Sequence, residues 1–136
     1  MTTNVVTLDE SEQLDQLDKA MKVFRFRHMP VVQGDRLIGM VTERDLLRVS
    51  ASTLIPHKGK QDAFLQERFK VRDIMTDDVQ SASPDTPLSE LAQRMRADKL
   101  GCMPIVDENH VVVGIVTEAD FVHLSQQLLK RVEPAL

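Results

Sequence analysis

Tryptophan and tyrosine are absent from this 136-residue chain, and phenylalanine occurs only five times. Single-stranded nucleic acids are commonly bound by stacking bases on broad aromatic side chains, so that route is closed here. Positive charge is in short supply as well: 17 Lys and Arg stand against 21 Asp and Glu, for a net charge of −4. That balance provides no overall attraction toward a phosphate backbone or an anionic membrane. The lone cysteine, Cys102, excludes an internal disulfide framework and fits a reducing cytosol. No apolar run approaches the roughly 20 residues of a membrane helix. The first residues also lack the charged start and apolar stretch of a signal peptide. What remains is a chain with 42% hydrophobic residues, enough for a core. The reading is a cytoplasmic globular protein, with neither membrane nor nucleic acid among its expected partners.

The chain contains an internal duplication. Residues 1–35 align with 75–109 and, after one extra residue near His110, residues 36–47 align with 111–122. Identical pairs include Met1/Met75, Thr2/Thr76, Leu14/Leu88, Leu17/Leu91, Met21/Met95, Met29/Met103 and Pro30/Pro104. Toward the end of each copy come Gly39/Gly114, Val41/Val116, Thr42/Thr117, Glu43/Glu118 and Asp45/Asp120. The organisation read from this is a first repeat at 1–49, a linker at 50–70, and a second repeat with a C-terminal helix at 71–136.

Each copy reads as strand, helix, strand, strand, helix, an α/β (α+β) pattern. The first strands are expected near Asn4–Thr7 and Asp78–Ser81. A helix follows with apolar residues at Leu14, Leu17 and Met21, or at Leu88, Leu91, Ala92 and Met95, the spacing of one buried face. In the second copy Thr86 then Pro87 reads as cap and first helical residue. The paired strands are expected at Met29–Val32 with Leu37–Val41, and at Met103–Val106 with Val111–Val116, joined by turn-rich connectors. The last helices are expected to begin at Thr42 and Thr117. In the linker, Gln61–Phe69 is compatible with a short helix. A repeat of this size cannot cover both faces of a three-stranded sheet, so the two copies are expected to pack sheet to sheet, with pseudo-two-fold symmetry and related clefts.

These residues resemble a known family. Ile74-Met75-Thr76, Ser83-Pro84-Asp85-Thr86-Pro87-Leu88, Met103-Pro104-Ile105-Val106-Asp107 and Gly114-Ile115-Val116-Thr117-Glu118-Ala119-Asp120 are similar to the cystathionine β-synthase (CBS) domain. In the first copy, Met29-Pro30-Val31-Val32 and Gly39-Met40-Val41-Thr42-Glu43-Arg44-Asp45 carry the same signature. That copy departs from the pattern before its helix, where Asp9-Glu10-Ser11-Glu12 replaces the Ser-Pro-Asp-Thr-Pro start.

The resemblance implies a regulatory module that binds adenine nucleotides or adenosine derivatives such as AMP, ADP, ATP or S-adenosylmethionine. Thr42 and Thr117 would contact phosphate, and Asp45 and Asp120 the ribose hydroxyls. The base would lie among residues of the first strand (Val5, Thr7, Val79, Ser81), of the Pro strand (Met29, Pro30, Met103, Pro104) and of the strand before the Thr (Met40, Ile115). Arg27 and His28, which stand where the second copy has Gly101 and Cys102, occupy places from which basic residues reach phosphate in nucleotide-sensing relatives. Arg44 stands where a basic residue can reach the other copy's cleft. Homodimers are also implied, with an effector enzyme or transporter that the sequence does not identify.

Elementary chemistry bears on the same residues. A helix N-terminus offers unpaired N–H groups and a positive dipole end, which suit phosphate. A carboxylate one turn in can accept bonds from vicinal hydroxyls. The pattern Thr-x-x-Asp is equally a capping-box variant that serves stability alone. Arg27 is a candidate phosphate ligand by guanidinium geometry and also reads as a solvated residue at a strand entry.

Catalysis finds no support. The histidines at 28, 57, 110 and 123 have neither i,i+4 spacing nor a cysteine partner, so no metal site is expected. Glu118 and Asp120, at i,i+2, do not face each other on a helix. No nucleophile, base and oxyanion hole assemble, and no catalytic cofactor is expected. The reading is a non-catalytic sensor; the alternative is a structural dimerisation module with empty or degenerate clefts.

Overall fold

A computed structural model describes residues 1–24, 27–51 and 69–132. Most of the linker, including residues 61–68 of the helix expected over 61–69, lies outside the described residues; Phe69 is described and is not helical. The architecture is mixed α/β, with small sheets and helices, and it forms two compact units.

The unit of residues 6–79 comprises β1 (Leu8–Asp9), α1 (Leu14–Phe24), β2 (His28–Gln33), β3 (Arg36–Thr42), α2 (Glu43–Ala51) and a four-residue helix α3 (Val71–Ile74). β1 runs parallel to β2, and β2 antiparallel to β3. The 3.6-residue spacing of α1 delivers Leu14, Leu17 and Met21 to one face, where they pack with Met29, Val31, Val41 and Val71. Gly34, at φ +63, closes the β2–β3 turn in the left-handed region that glycine enters without steric cost.

The other unit joins residues 1–5 to residues 80–136. It holds α4 (Leu88–Ala97), β4 (Cys102–Val106), β5 (Val112–Thr117) and α5 (Glu118–Val132). Leu91, Met95, Met103, Ile105 and Val116 form its core. The extra residue relative to the first copy falls in the β4–β5 turn. There His110 adopts φ 64, and the Asp107 carboxylate accepts the N–H groups of Asn109 and Val111, each at 2.9 Å. Both hairpins share a bulge, between Val31 and Val32 and between Ile105 and Val106, so the duplication extends to a local irregularity.

The first strands differ from expectation. Residues 4–7 are not strand; pairing begins at Leu8, whose side chain enters the core while its backbone meets Val31. In the second copy the corresponding pairing shrinks to one bridge, Ala82 to Ile105. The boundaries between the two compact units fall within residues 4–7 and 78–81, after Val5 and after Val79. Thr86 is not the cap of α4 either. Pro87 takes that place, and the Thr86 hydroxyl oxygen accepts the Ser83 N–H at 3.1 Å within the preceding turn.

Each hairpin receives a further segment along its last strand. The Met40 N–H donates to the Thr76 carbonyl and the Thr76 N–H to the Met40 carbonyl, both at 2.9 Å. Thr2 and Ile115 exchange the same two bonds at 3.0 Å. These segments explain two glycines. A Cβ on Gly39 would strike the Met75 sulfur, and one on Gly114 the Met1 sulfur, so the methionine lies directly over each glycine.

Candidate functional site

The shared Thr-x-x-Asp stretch marks the turn from strand to helix in each unit. At the start of α2, the Asp45 Oδ2 accepts the Thr42 N–H at 2.9 Å and the Thr42 hydroxyl at 3.1 Å, and the Asp45 N–H returns a bond to the Thr42 Oγ1 at 3.2 Å. At the start of α5, the Asp120 Oδ2 accepts the Thr117 N–H at 2.9 Å and its hydroxyl at 3.3 Å. The capping reading of the motif is thus realised in both copies. Both carboxylates do this work through one oxygen. Oδ1 takes none of these bonds, and both aspartates are only half-buried.

A feature that motif reading did not reveal completes each turn. The Glu43 N–H donates to the Arg27 carbonyl at 2.9 Å, and the Glu118 N–H to the Gly101 carbonyl at 3.2 Å. The first helical N–H in each copy, and in the first copy also that of Asp45, is therefore already satisfied, which narrows what a phosphate could take from the backbone. The sequence signal lies in the position, because Arg27 and Gly101 are repeat-equivalent although their side chains differ.

Strand register brings the remaining candidates to the same ends. His28 lies opposite Thr42, and Cys102 opposite Thr117. One site thus carries Arg27, His28, Thr42, exposed Arg44 and Asp45, and the other Gly101, Cys102, Thr117 and Asp120. Burial pushes the Cys102 thiol up to about 11, so it stays protonated and uncharged near neutrality. The first site gathers cations and the second has none at these positions.

Pro30 faces Met40, and Pro104 faces Ile115. Met29 and Met103 are fully buried, each within the core of its own unit, so their side chains serve packing. Val5 and Ser81 belong to the unit with Thr117 and Asp120, whereas Thr7 and Val79 belong to the unit with Thr42 and Asp45. By sequence order Val5 and Thr7 fall in the same copy, yet the structure assigns them to different units. The Ser81 carbonyl accepts a bond from the Arg94 guanidinium at 2.9 Å. Among the described residues, no cluster of three His, Cys, Asp or Glu side chains is placed to hold a metal ion. No described helix is long and apolar enough to cross a membrane.

Known proteins share this fold. The CBS domain model matches residues 1–52 and 71–126. Protein MJ1225 of Methanocaldococcus jannaschii is 32% identical over 122 residues; the match covers 88% of this chain and 43% of that protein, so the chain spans less than half of it. Among solved structures, a Vibrio cholerae protein named for acetoin utilization (AcuB) superposes with a TM-score of 0.80 at 32% identity, covering 100% of this chain and 93% of the other. The CBS domain pair of protein MJ0100, solved with 5′-methylthioadenosine and S-adenosyl-L-methionine, gives a TM-score of 0.75 at 25% identity, covering 91% and 93%.

Proposed function

Because this chain belongs to the CBS-domain family and carries the domain twice, we propose that it is a non-catalytic regulatory module that binds adenosine-bearing ligands. The observation that carries this reading is the Thr-x-x-Asp turn, built in both units with one carboxylate oxygen in the cap and the other outside it. In this reading Asp45 and Asp120 offer Oδ1 to ribose hydroxyls, and the Thr42 and Thr117 hydroxyls turn toward phosphate when a ligand arrives. Arg27 supplies a guanidinium at the first site. The adenosyl ligands present in the MJ0100 domain pair support the ligand class. The activity under control would reside on another domain or protein.

A thermal-shift screen with AMP, ADP, ATP, S-adenosylmethionine and 5′-methylthioadenosine tests the proposal. A ligand that binds only the folded state at a hundred times its Kd adds about 2.7 kcal/mol to stability. The expected outcome is a rise in Tm with at least one of these ligands, lost in the Asp45→Ala/Asp120→Ala double variant. No shift with any of them favours the second reading, a structural dimerisation module. The observation behind that alternative is the apolar surface on α5, where Val122, Leu128, Leu129 and Val132 are all more than half exposed.

A further inference from the structure

The unit that holds α4 and α5 has a groove between these two helices, of about 580 Å³. Thr117 and Asp120 do not line it, nor do the exposed apolar residues Val122 and Leu129. Its floor is the rim of the unit's own core: Met95 is buried, and half-buried Leu100 and Phe121 pack against the same cluster. The charged side chains on it are Arg96, Lys99 and Glu118, all exposed. Among the described residues, none of these three takes part in an ion pair.

Charged and apolar parts are separated along the groove. The Glu118 N–H donates to the Gly101 carbonyl at 3.2 Å, which brings Glu118 to the end of the groove where α4 stops and Lys99 follows. Ser125 lies seven residues beyond Glu118, roughly 10 Å along α5 at 1.5 Å per residue, and Ala92 precedes Lys99 by the same count. A charged end thus opens onto an apolar trough with one hydroxyl at its far end. Lys99 stands there against the preference of its own backbone. The Leu100 N–H donates to the Met95 carbonyl at 2.8 Å and closes α4, with Lys99 in the left-handed region at φ 54. Glycine adopts that conformation without steric cost and lysine does not, so the helix end gains nothing from an ammonium at this position.

We propose that this groove is a further ligand site, which takes a free α-amino acid with a large apolar side chain. The ligand's carboxylate faces Arg96 and Lys99, its ammonium faces Glu118, and its side chain lies along Met95 and Phe121. A zwitterion answers all three charges at once. A simple acid would leave Glu118 facing an anion, and a simple amine would leave two cations unanswered. The site does not depend on adenosyl binding at the Thr-x-x-Asp turns.

The test is titration of the isotopically labelled full chain with L-phenylalanine, L-leucine and L-methionine, followed by amide NMR shifts. At least one is expected to give saturable shifts at Met95, Lys99, Leu100 and Phe121 in the millimolar range. For that amino acid, the amine lacking the carboxylate and the acid lacking the ammonium are each expected to bind about fivefold more weakly, the upper range for one exposed charge contact. Free glycine, which has no side chain, is expected not to saturate. In Arg96→Gln/Lys99→Gln the amino acid should fall level with the amine, and in Glu118→Gln level with the acid. The replaced side chains are exposed, and unchanged spectra away from the groove verify that the variants fold. No saturable shift with any of the three, shifts confined to other residues, or an acid or amine that binds as tightly as the amino acid overturns the proposal. So do selectivities that neither variant alters.

Discussion

The carboxylates of Asp45 and Asp120 each hold a helix entry together through Oδ2 and leave Oδ1 outside the cap. In the proposed binding mode, stability and ligand recognition draw on different atoms of one side chain. Asp45→Ala is expected to cost about 1 kcal/mol of stability, the size of a lost cap. At its own site it should weaken ribose recognition by about 1.5–3 kcal/mol, the range for hydrogen bonds to a charged group. Chemical denaturation and calorimetry with adenosine measure the two effects separately. An affinity unchanged in both Asp45→Ala and Asp120→Ala would leave the aspartates as caps only. Arg27 offers a second residue-level test. On an Asp120→Ala background, Arg27→Ala is expected to lower the preference for AMP over adenosine by about tenfold, equivalent to about 1.4 kcal/mol. Because Gly101 and Cys102 bring no cation, the second site, isolated on an Asp45→Ala background, should show the weaker phosphate preference from the outset. Equal preference at the two isolated sites would refute this.

At the scale of elements, the edge segments and the helix starts are where the copies can be compared directly. Met75-Thr76 lies across β3 and Met1-Thr2 across β5, and a glycine beneath each methionine makes room for it. In Gly39→Ala the new methyl meets the Met75 side chain and also the Thr76 carbonyl at 3.0 Å, which is backbone and cannot swing away. The expected cost is about 1–3 kcal/mol, as for other overpacked sites. Adding Met75→Ala should recover only part of it, read as Tm in the single and double variants. The helix starts give an opposite contrast from identical residues. Leu14→Ala should cost about 2–5 kcal/mol because it empties a filled site, whereas Leu88→Ala should stay within about 0.5 kcal/mol. Urea denaturation of the two variants checks this, and equal costs would contradict the difference in burial.

For the whole molecule, the surface of α5 sets the expectation for assembly. Val122, Leu128, Leu129 and Val132 present apolar side chains to solvent, and Leu47 of α2 does likewise. Exposed apolar area of this kind is a mark of an interaction surface, and two-fold pairing of identical chains is its commonest solution. The chain is expected to sediment as a dimer at tens of micromolar. Replacing Val122 and Leu129 with aspartate should shift it to monomer while leaving the secondary structure by circular dichroism unchanged. A monomeric parent would contradict this.

Much of this protein was legible in its sequence because the information is local and written twice. The duplication exposed the order of elements, and the helical spacing of Leu14, Leu17 and Met21 marked the face that the core buries. The Thr-x-x-Asp spacing marked both helix entries, since a capping carboxylate must return to a residue three positions earlier. Other features rest on contacts between residues far apart in sequence, and tertiary structure decided those. It moved Met1–Val5 to the unit of the second copy, because Thr2 finds its backbone partners at Ile115. It left residues 4–7 out of the strands, at the boundary between the two units, and began the pairing at Leu8. It also gave Leu14 and Leu88, identical in type and in repeat position, opposite environments. Burial depends on which distant segment lies over a side chain, and a repeat pattern carries no term for that neighbour.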